Sequence, residues 1–307
     1  LASPEEGLKF GVGARVTFVD FGGPASEWRT DLSIGVYNRV GTEYYYRLRG
    51  GKWFVAPRLA YEEIQQPIYE GSERVSEFTN RRSVGGIDLG YAFGRFQELR
   101  TGWTLSHEKV LIATGPLQGQ GIKGRASTIR AKWSYEGQDA PNVPTRGIRV
   151  NIQGHYGMDW PGVKEKFGLA ETLVSYAKPL PKRLILIGQG RGGMTRDDPY
   201  LSNSFELGGP LSLGSLARSQ LLGTRYYYAG GYLLRGLSNP SLSIFGRFYG
   251  LLSYEAGNAW SRMPAQLPRH SATAGLLGET QFGVVFFGVA YGDRGEGKIF
   301  FRLGRLF

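Results

Sequence analysis

Period-two alternation runs almost unbroken through this chain, and it constrains the fold more than any other feature. Successive strand side chains point to opposite faces, so an alternating segment presents one apolar and one polar face. Leu8, Phe10, Val12, Ala14, Val16 and Phe18 alternate with Lys9, Gly11, Gly13, Arg15 and Thr17. Trp53, Val55, Pro57, Leu59 and Tyr61 alternate with Lys52, Arg58 and Glu62, and Ile129, Ala131, Trp133 and Tyr135 oppose Thr128, Arg130, Lys132 and Ser134. The closing segment does the same. Ile299, Phe301, Leu303 and Phe307 share one face, with Lys298, Arg302 and Gly304 on the other. Arg305 takes an apolar-parity position near the strand end, where a long cation can snorkel to an interface. Period two at this frequency specifies strand rather than helix.

Many of these segments exceed the roughly 9–11 residues a strand needs to cross a membrane. The 47 Gly, 18 Tyr and 17 Phe suit repeated half-apolar strands better than a helical bundle. The best helical candidate, residues 284–290, is far short of the roughly 20 residues of a spanning helix. A sheet in lipid must close on itself, because an open edge leaves backbone groups unpaired. The expected fold is therefore all-β, an antiparallel transmembrane barrel filling residues 1–307 as a single domain. The net charge of +11 does not point to nucleic acid, because the basic residues recur singly along strands, as at Arg130, Lys132 and Arg149. Spread in that way they suit a lumen lining or loops facing anionic head groups. The absence of Cys fits an envelope location without requiring it. The chain starts at Leu1 with no visible signal peptide, so it reads as a mature product or a fragment.

Fifteen strand candidates start near residues 8, 28, 43, 52, 74, 97, 123, 146, 166, 183, 224, 243, 270, 284 and 297. The segment 74–94 changes phase near Val84, which reads as a bulge. The segment 167–178 alternates poorly. With the C-terminus periplasmic, counting back places the long connections 195–223, 158–165, 115–122 and 66–73 outside and the short ones inside, as in outer-membrane barrels. Single-chain bacterial barrels have even strand numbers. The odd count leaves two options: a first strand upstream of Leu1, or a division of 74–94 into two strands.

Three motifs and the terminal Phe307 carry a family resemblance. Asp139-Ala-Pro-Asn-Val-Pro-Thr-Arg-Gly147 fixes a turn ahead of a strand. Phe205-Glu-Leu207-Gly208-Gly209 opens a long loop that Leu221-Leu-Gly223 closes, and Tyr254-Glu255-Ala-Gly-Asn-Ala-Trp260 lies in a strand. In this order and spacing they resemble the bacterial surface antigen (BamA/TamA) superfamily of outer-membrane barrels, whose terminal strand, here Phe301, Leu303 and Phe307, serves as the assembly signal. The runs Trp53–Glu62 and Arg81–Leu89 look like the C-terminal barrel of patatin-like type V autotransporters of the PlpD kind. The resemblance implies about sixteen strands and a sixth external loop folded into the lumen, with Leu207, Gly208, Gly209, Gly214, Ser215, Leu216, Arg218 and Gly223 as its plug motif. Where the family has an Arg-Gly-aromatic tip, this chain has Gly214-Ser215-Leu216, so the Arg pin is missing.

Glu255 has lumen parity with Ser253 and Arg247 on its strand. It is expected either to join an ion-pair network or to hold a cation of the sixth loop, which would have to be Arg218. The implied role is outer-membrane anchor and translocation unit for an upstream patatin-like lipase with one POTRA domain. The alternative is a BamA/TamA-like assembly or two-partner secretion factor. The resemblance names as partners outer-membrane lipid and lipopolysaccharide, the barrel assembly machinery, the passenger and POTRA domain, and a second copy in a homodimer. No cofactor, metal or catalytic residue is expected. There is no Gly-x-Ser-x-Gly elbow, and His107, His155 and His270 have no zinc spacing. His155 reads as a polar lining residue, and Asp197-Asp198 lacks the further oxygens that calcium needs.

Overall fold

The computed structural model describes residues 11–35, 37–71, 73–114, 118–158, 166–196, 204–237, 246–261, 267–280 and 283–303. Alternation becomes strand throughout. In chain order the strands are β1 (Gly11–Val19), β2 (Ser26–Gly35), β3 (Tyr37–Arg47), β4 (Trp53–Glu70), β5 (Glu73–Ala92), β6 (Gln97–Thr114), β7 (Gly121–Glu136), β8 (Gly147–Met158) and β9 (Gly168–Leu180). They continue with β10 (Leu184–Arg196), β11 (Phe205–Leu207), β12 (Leu221–Gly223), β13 (Arg225–Gly236), β14 (Arg247–Trp260), β15 (Arg269–Thr280), β16 (Gly283–Gly292) and β17 (Gly297–Leu303). Fifteen of them form one antiparallel sheet, in the order β1 to β10 and then β13 to β17. Each of the fifteen sequence candidates becomes one sheet strand. The short pair β11 and β12 forms its own ladder inside the long connection between β10 and β13. Among the described residues no helix is long and apolar enough to cross a membrane.

Two details differ from the sequence expectation. The segment 74–94 is one strand, β5, so its division into two is excluded. The ladder also runs unbroken through Val84, which pairs with Ala60 and Ser106. The irregularities fall instead at Ile68/Tyr69 and Glu77/Phe78. Val84 is an apolar side chain on the lumen face, so the pattern changes while the backbone does not. The same holds for β9, a regular strand whose inward face carries Leu169, Leu173 and Ala177.

The sheet wraps around a lumen. Arg302 of β17 lines one cavity, of about 550 Å3, together with Lys132 of β7, Arg149 of β8 and Arg191 of β10. The outward face is apolar and exposed, as at Leu59, Ile129, Leu252, Ile299, Phe301 and Leu303. Phe307 lies outside the described residues. β1 and β17 are the first and last strands of the sheet, and among the described residues neither pairs beyond β2 or β16.

The lumen has two chemically distinct sides. On β9, β10 and β13–β16 the inward residues at one end form an apolar cluster that includes Ile187, Tyr232, Leu251, Leu277 and Phe286. Val143, from the turn between β7 and β8, packs into this cluster. The turn is built as its sequence suggests: the Asp139 carboxylate accepts the Thr145 and Arg146 amides at 2.9 and 3.1 Å. Burial works against the Asp139 charge, but the Thr145 and backbone bonds outweigh it and hold the carboxyl below its ordinary value.

On β2–β8 the lumen is lined instead by charge. Arg39 pairs with Glu62, Arg82 with Glu108, Arg100 with Glu43 and Glu98, and Arg130 with Asp88. Asp88 and Arg130 sit two strands apart, on β5 and β7, and meet across Gly102 of β6. A Cβ at Gly102 would lie 2.0 Å from Asp88 Oδ1, so only glycine leaves room for the bridge.

Candidate functional site

The connection from β10 to β13 turns into the lumen over its described residues 204–224. Its two strands, β11 and β12, pair at its base through Phe205–Leu207 and Leu221–Gly223. Gly208 follows in a left-handed conformation (φ 127°), and a Cβ there would stand 1.9 Å from the Ala217 carbonyl oxygen. The sequence Leu-Gly-Gly is therefore what lets the loop fold back on itself. Its own amides then close it: Gly208 donates to Ser212 O at 2.8 Å and Gly209 to Leu216 O at 3.1 Å. Leu207, Leu213 and Leu216 are buried with Phe205, Tyr226, Tyr228 and Ala259. That apolar contact seats the loop against β13 and β14.

Polar contacts then fix the tip. Glu255 of β14 is fully buried, and its Oε2 accepts the Leu213 amide at 2.6 Å and the Gly214 amide at 3.0 Å. The Ser215 amide donates to Ser271 Oγ of β15 at 3.0 Å. A Cβ at Gly214 would come within 2.8 Å of Thr273 Oγ1 and 3.0 Å of the Ala290 side chain, so glycine sets the closeness of approach. From the other side, Arg191 of β10 donates to Ser212 Oγ at 3.0 Å, with its guanidinium 4.1 Å from the centre of the Tyr228 ring. Tyr228 and Tyr232 donate to the Leu211 carbonyl at 3.1 and 3.3 Å. At the loop's far edge, Gln220 reaches the Gly71 carbonyl in the turn between β4 and β5, at 3.0 Å.

The expectation of an Arg218–Glu255 pair is overturned. Arg218 is exposed, and the carboxylate is filled by two backbone amides and by Ser253 Oγ at 3.4 Å. The barrel wall supplies Arg191 to the loop, on Ser212 Oγ, rather than to the carboxylate. Arg247 lies eight positions along β14 from Glu255 (255 − 247), at the opposite strand end, where it interacts with Tyr249 and Glu279. Leu207, Gly208, Gly209, Gly214, Ser215, Leu216 and Gly223 all belong to the inserted loop. Sequence reasoning missed Arg191, Tyr228, Tyr232 and Ser271. The available signal was parity: Tyr226, Tyr228 and Tyr232 share the inward face of β13, and Arg191 follows Ile185, Ile187 and Gln189 inward on β10. His155 lines the charged lumen directly opposite Arg130, in keeping with a lining role. Asp197 and Asp198 lie outside the described residues. Among the described residues no cluster of His, Asp and Glu has the form of a metal site.

A sequence profile, described as the Omp85 superfamily domain, matches residues 51–262. The chain belongs to the Omp85 superfamily. It is an outer-membrane β-barrel, with the described part of the long connection between β10 and β13 folded into the lumen. Solved structures agree on the fold. BamA from Haemophilus ducreyi lacking POTRA domains 1–3 is similar with a TM-score of 0.75 at 16% identity, covering 95% of this chain and 66% of that one. CdiB from Escherichia coli gives a TM-score of 0.65 at 14% identity, over 95% of this chain and 58% of that one. CdiB from Acinetobacter baumannii gives 0.63 at 11% identity, over 97% and 56%. This Omp85 chain therefore spans less than two thirds of each of those chains. No curated protein matches its sequence.

Proposed function

We propose that this Omp85 barrel anchors an N-terminal passenger in the outer membrane and passes it outward, with the sixth loop as the closure of the lumen. The observation that carries this reading is the seat of the loop tip on buried Glu255. A buried carboxylate is costly to desolvate, and its best-attested use is to fix one arrangement among alternatives. Here it satisfies two tip amides that would otherwise be buried without partners. A permanently open channel has no need of such a seat. A movable closure does, because one charge then selects the closed state.

The missing tip arginine supports anchoring and passage over insertase activity of the BamA kind. The runs Trp53–Glu62 and Arg81–Leu89 support a patatin-like lipase as the passenger. The test is secretion by the full-length protein carrying S215C and S271C. With the pair oxidised, the passenger should stay inaccessible to protease added to intact cells, and reduction should restore access. Equal surface exposure with the loop locked overturns the reading. A fall in other barrel proteins on depletion, with no passenger at the surface, favours the assembly alternative.

A further inference from the structure

The outward wall of β4–β7 carries a charge pattern that neither the loop seat nor the sheet uses. Directly opposed residues step across it: Glu63 faces Arg81, Arg81 faces Lys109, and Lys109 faces Lys123. In the adjacent row His107 faces Arg125. Arg81, Lys109, Lys123, Arg125 and His107 are all exposed, and they share strand parity with lipid-facing Ile87, Leu99 and Ile129. Arg81 bonds Glu63 at 2.7 Å, whereas among the described residues Lys109, Lys123 and Arg125 make no ion pair within 4.0 Å. Like charges directly opposed on one sheet face destabilise it. An anion lying over them removes that penalty.

Position and shape indicate which anion. Trp53, Tyr91 and Trp133, with Leu99 between the last two, form a mostly aromatic row on the same wall, nearer the periplasm. Glu63 is ten residues farther along β4 (63 − 53), which is about 33 Å of strand. At a tilt near 40° that is about 25 Å along the membrane normal, the height of the apolar band of such barrels. The cations therefore stand at the outer interface, at the end where the sixth loop lies. Beside them Gly85 presents no side chain. An apolar groove of about 540 Å3 runs there, lined by Val40, Leu59, Tyr61 and Leu105, with His107 and Arg125 also among its lining residues.

We propose that this wall binds a phosphorylated glycolipid of the outer leaflet, with its phosphates on Lys109, Lys123 and Arg125 and one acyl chain in the groove over Gly85. A free anion would use the cations and leave the groove idle. The experiment measures lipid binding to the full-length protein in detergent by native mass spectrometry, with heat-modifiable gel mobility as the check of folding. The probes are bisphosphorylated lipid A, its dephosphorylated form and inorganic phosphate.

A surface cation is worth about a factor of five to ten toward an anionic head group, so K109Q/K123Q/R125Q should weaken the bisphosphorylated lipid on the order of a hundredfold. The dephosphorylated form should bind the wild type no better than the phosphorylated form binds the variant. Gly85→Leu, which fills the groove and keeps the charges, should weaken lipid binding and leave inorganic phosphate unaffected. A folded triple variant that binds as the wild type does, or a wild type that ignores the phosphates, overturns the proposal. Displacement of the lipid by inorganic phosphate with equal affinity, or a Gly85→Leu variant that binds lipid normally, overturns the acyl-chain half and with it the choice of a lipid.

Discussion

Glu255→Ala removes the one acceptor shared by two tip amides, and its effect can be worked from the structure. Oε2 holds the Leu213 and Gly214 amides at 2.6 and 3.0 Å in a fully buried position. Each hydrogen bond to a charged group contributes about 1.5–3 kcal/mol, and a buried donor left without a partner forfeits a similar amount. Losing both costs the docked loop about 3–6 kcal/mol. At tenfold per 1.4 kcal/mol, the undocked population rises by at least a hundredfold. The barrel wall itself should survive, because the β13–β14 and β14–β15 ladders are backbone bonds that do not involve this side chain. Single-channel recording in planar bilayers is the assay. The wild type should be mostly closed, and Glu255→Ala should show frequent large openings together with faster proteolysis between residues 205 and 223. A folded Glu255→Ala barrel with wild-type conductance and wild-type protease resistance refutes the reasoning, because the seat would then contribute nothing to closure.

Other expectations follow from the same geometry. Gly102→Val drives a side chain into the Asp88–Arg130 bridge and strands a buried carboxylate, which should cost about 3–5 kcal/mol in urea unfolding. Leu252→Arg places a cation on the exposed apolar face and should lower stability in bilayers by about 2–4 kcal/mol if it lies near the midplane, whereas Gln153→Arg on the lumen face should change it little. The turn between β16 and β17 should respond to pH. Burial disfavours the Asp293 charge, but its bond to Arg269 at 3.2 Å, that cation's charge and the backbone outweigh it, so the carboxyl lies below its ordinary 3.8. A lowered value means the contribution is complete above 3.8 and is lost as pH falls through the folded-state value. Amide exchange at residues 292–297, corrected for its intrinsic pH dependence, should accelerate below that window, and Asp293→Asn should reduce the change, leaving the part that comes from the Glu296–Arg269 pair.

The strands were legible because their signal is local. Each needs only its own alternation, and every candidate segment became one strand. Phase proved less reliable than existence: Val84, and Leu169 and Leu173 in β9, put apolar side chains inward and imitated a break that the backbone does not contain. Leu-Gly-Gly marked the loop because Gly208 alone can take its backbone angle and closeness. The partner of Glu255 could not be read, because a backbone amide has no letter in a sequence. Searching for a side-chain cation led to Arg218, while the loop's own backbone amides fill the carboxylate. The Asp88–Arg130 bridge was hidden for a related reason: it skips a strand, and only the three-dimensional register reveals Gly102 beneath it.

The central claim is that the loop between β10 and β13 sits with its tip on β14 and β15 inside the lumen. The chain has no cysteine, so an introduced pair reports without background. The Ser215 amide lies 3.0 Å from Ser271 Oγ, so the two residues are in direct contact when the loop is seated. The direct measurement is oxidation of S215C/S271C in native outer-membrane fractions. The account predicts near-complete cross-linking with unchanged barrel mobility, and little cross-linking when Glu255→Ala is added. Failure of the pair to cross-link in a folded barrel would contradict it.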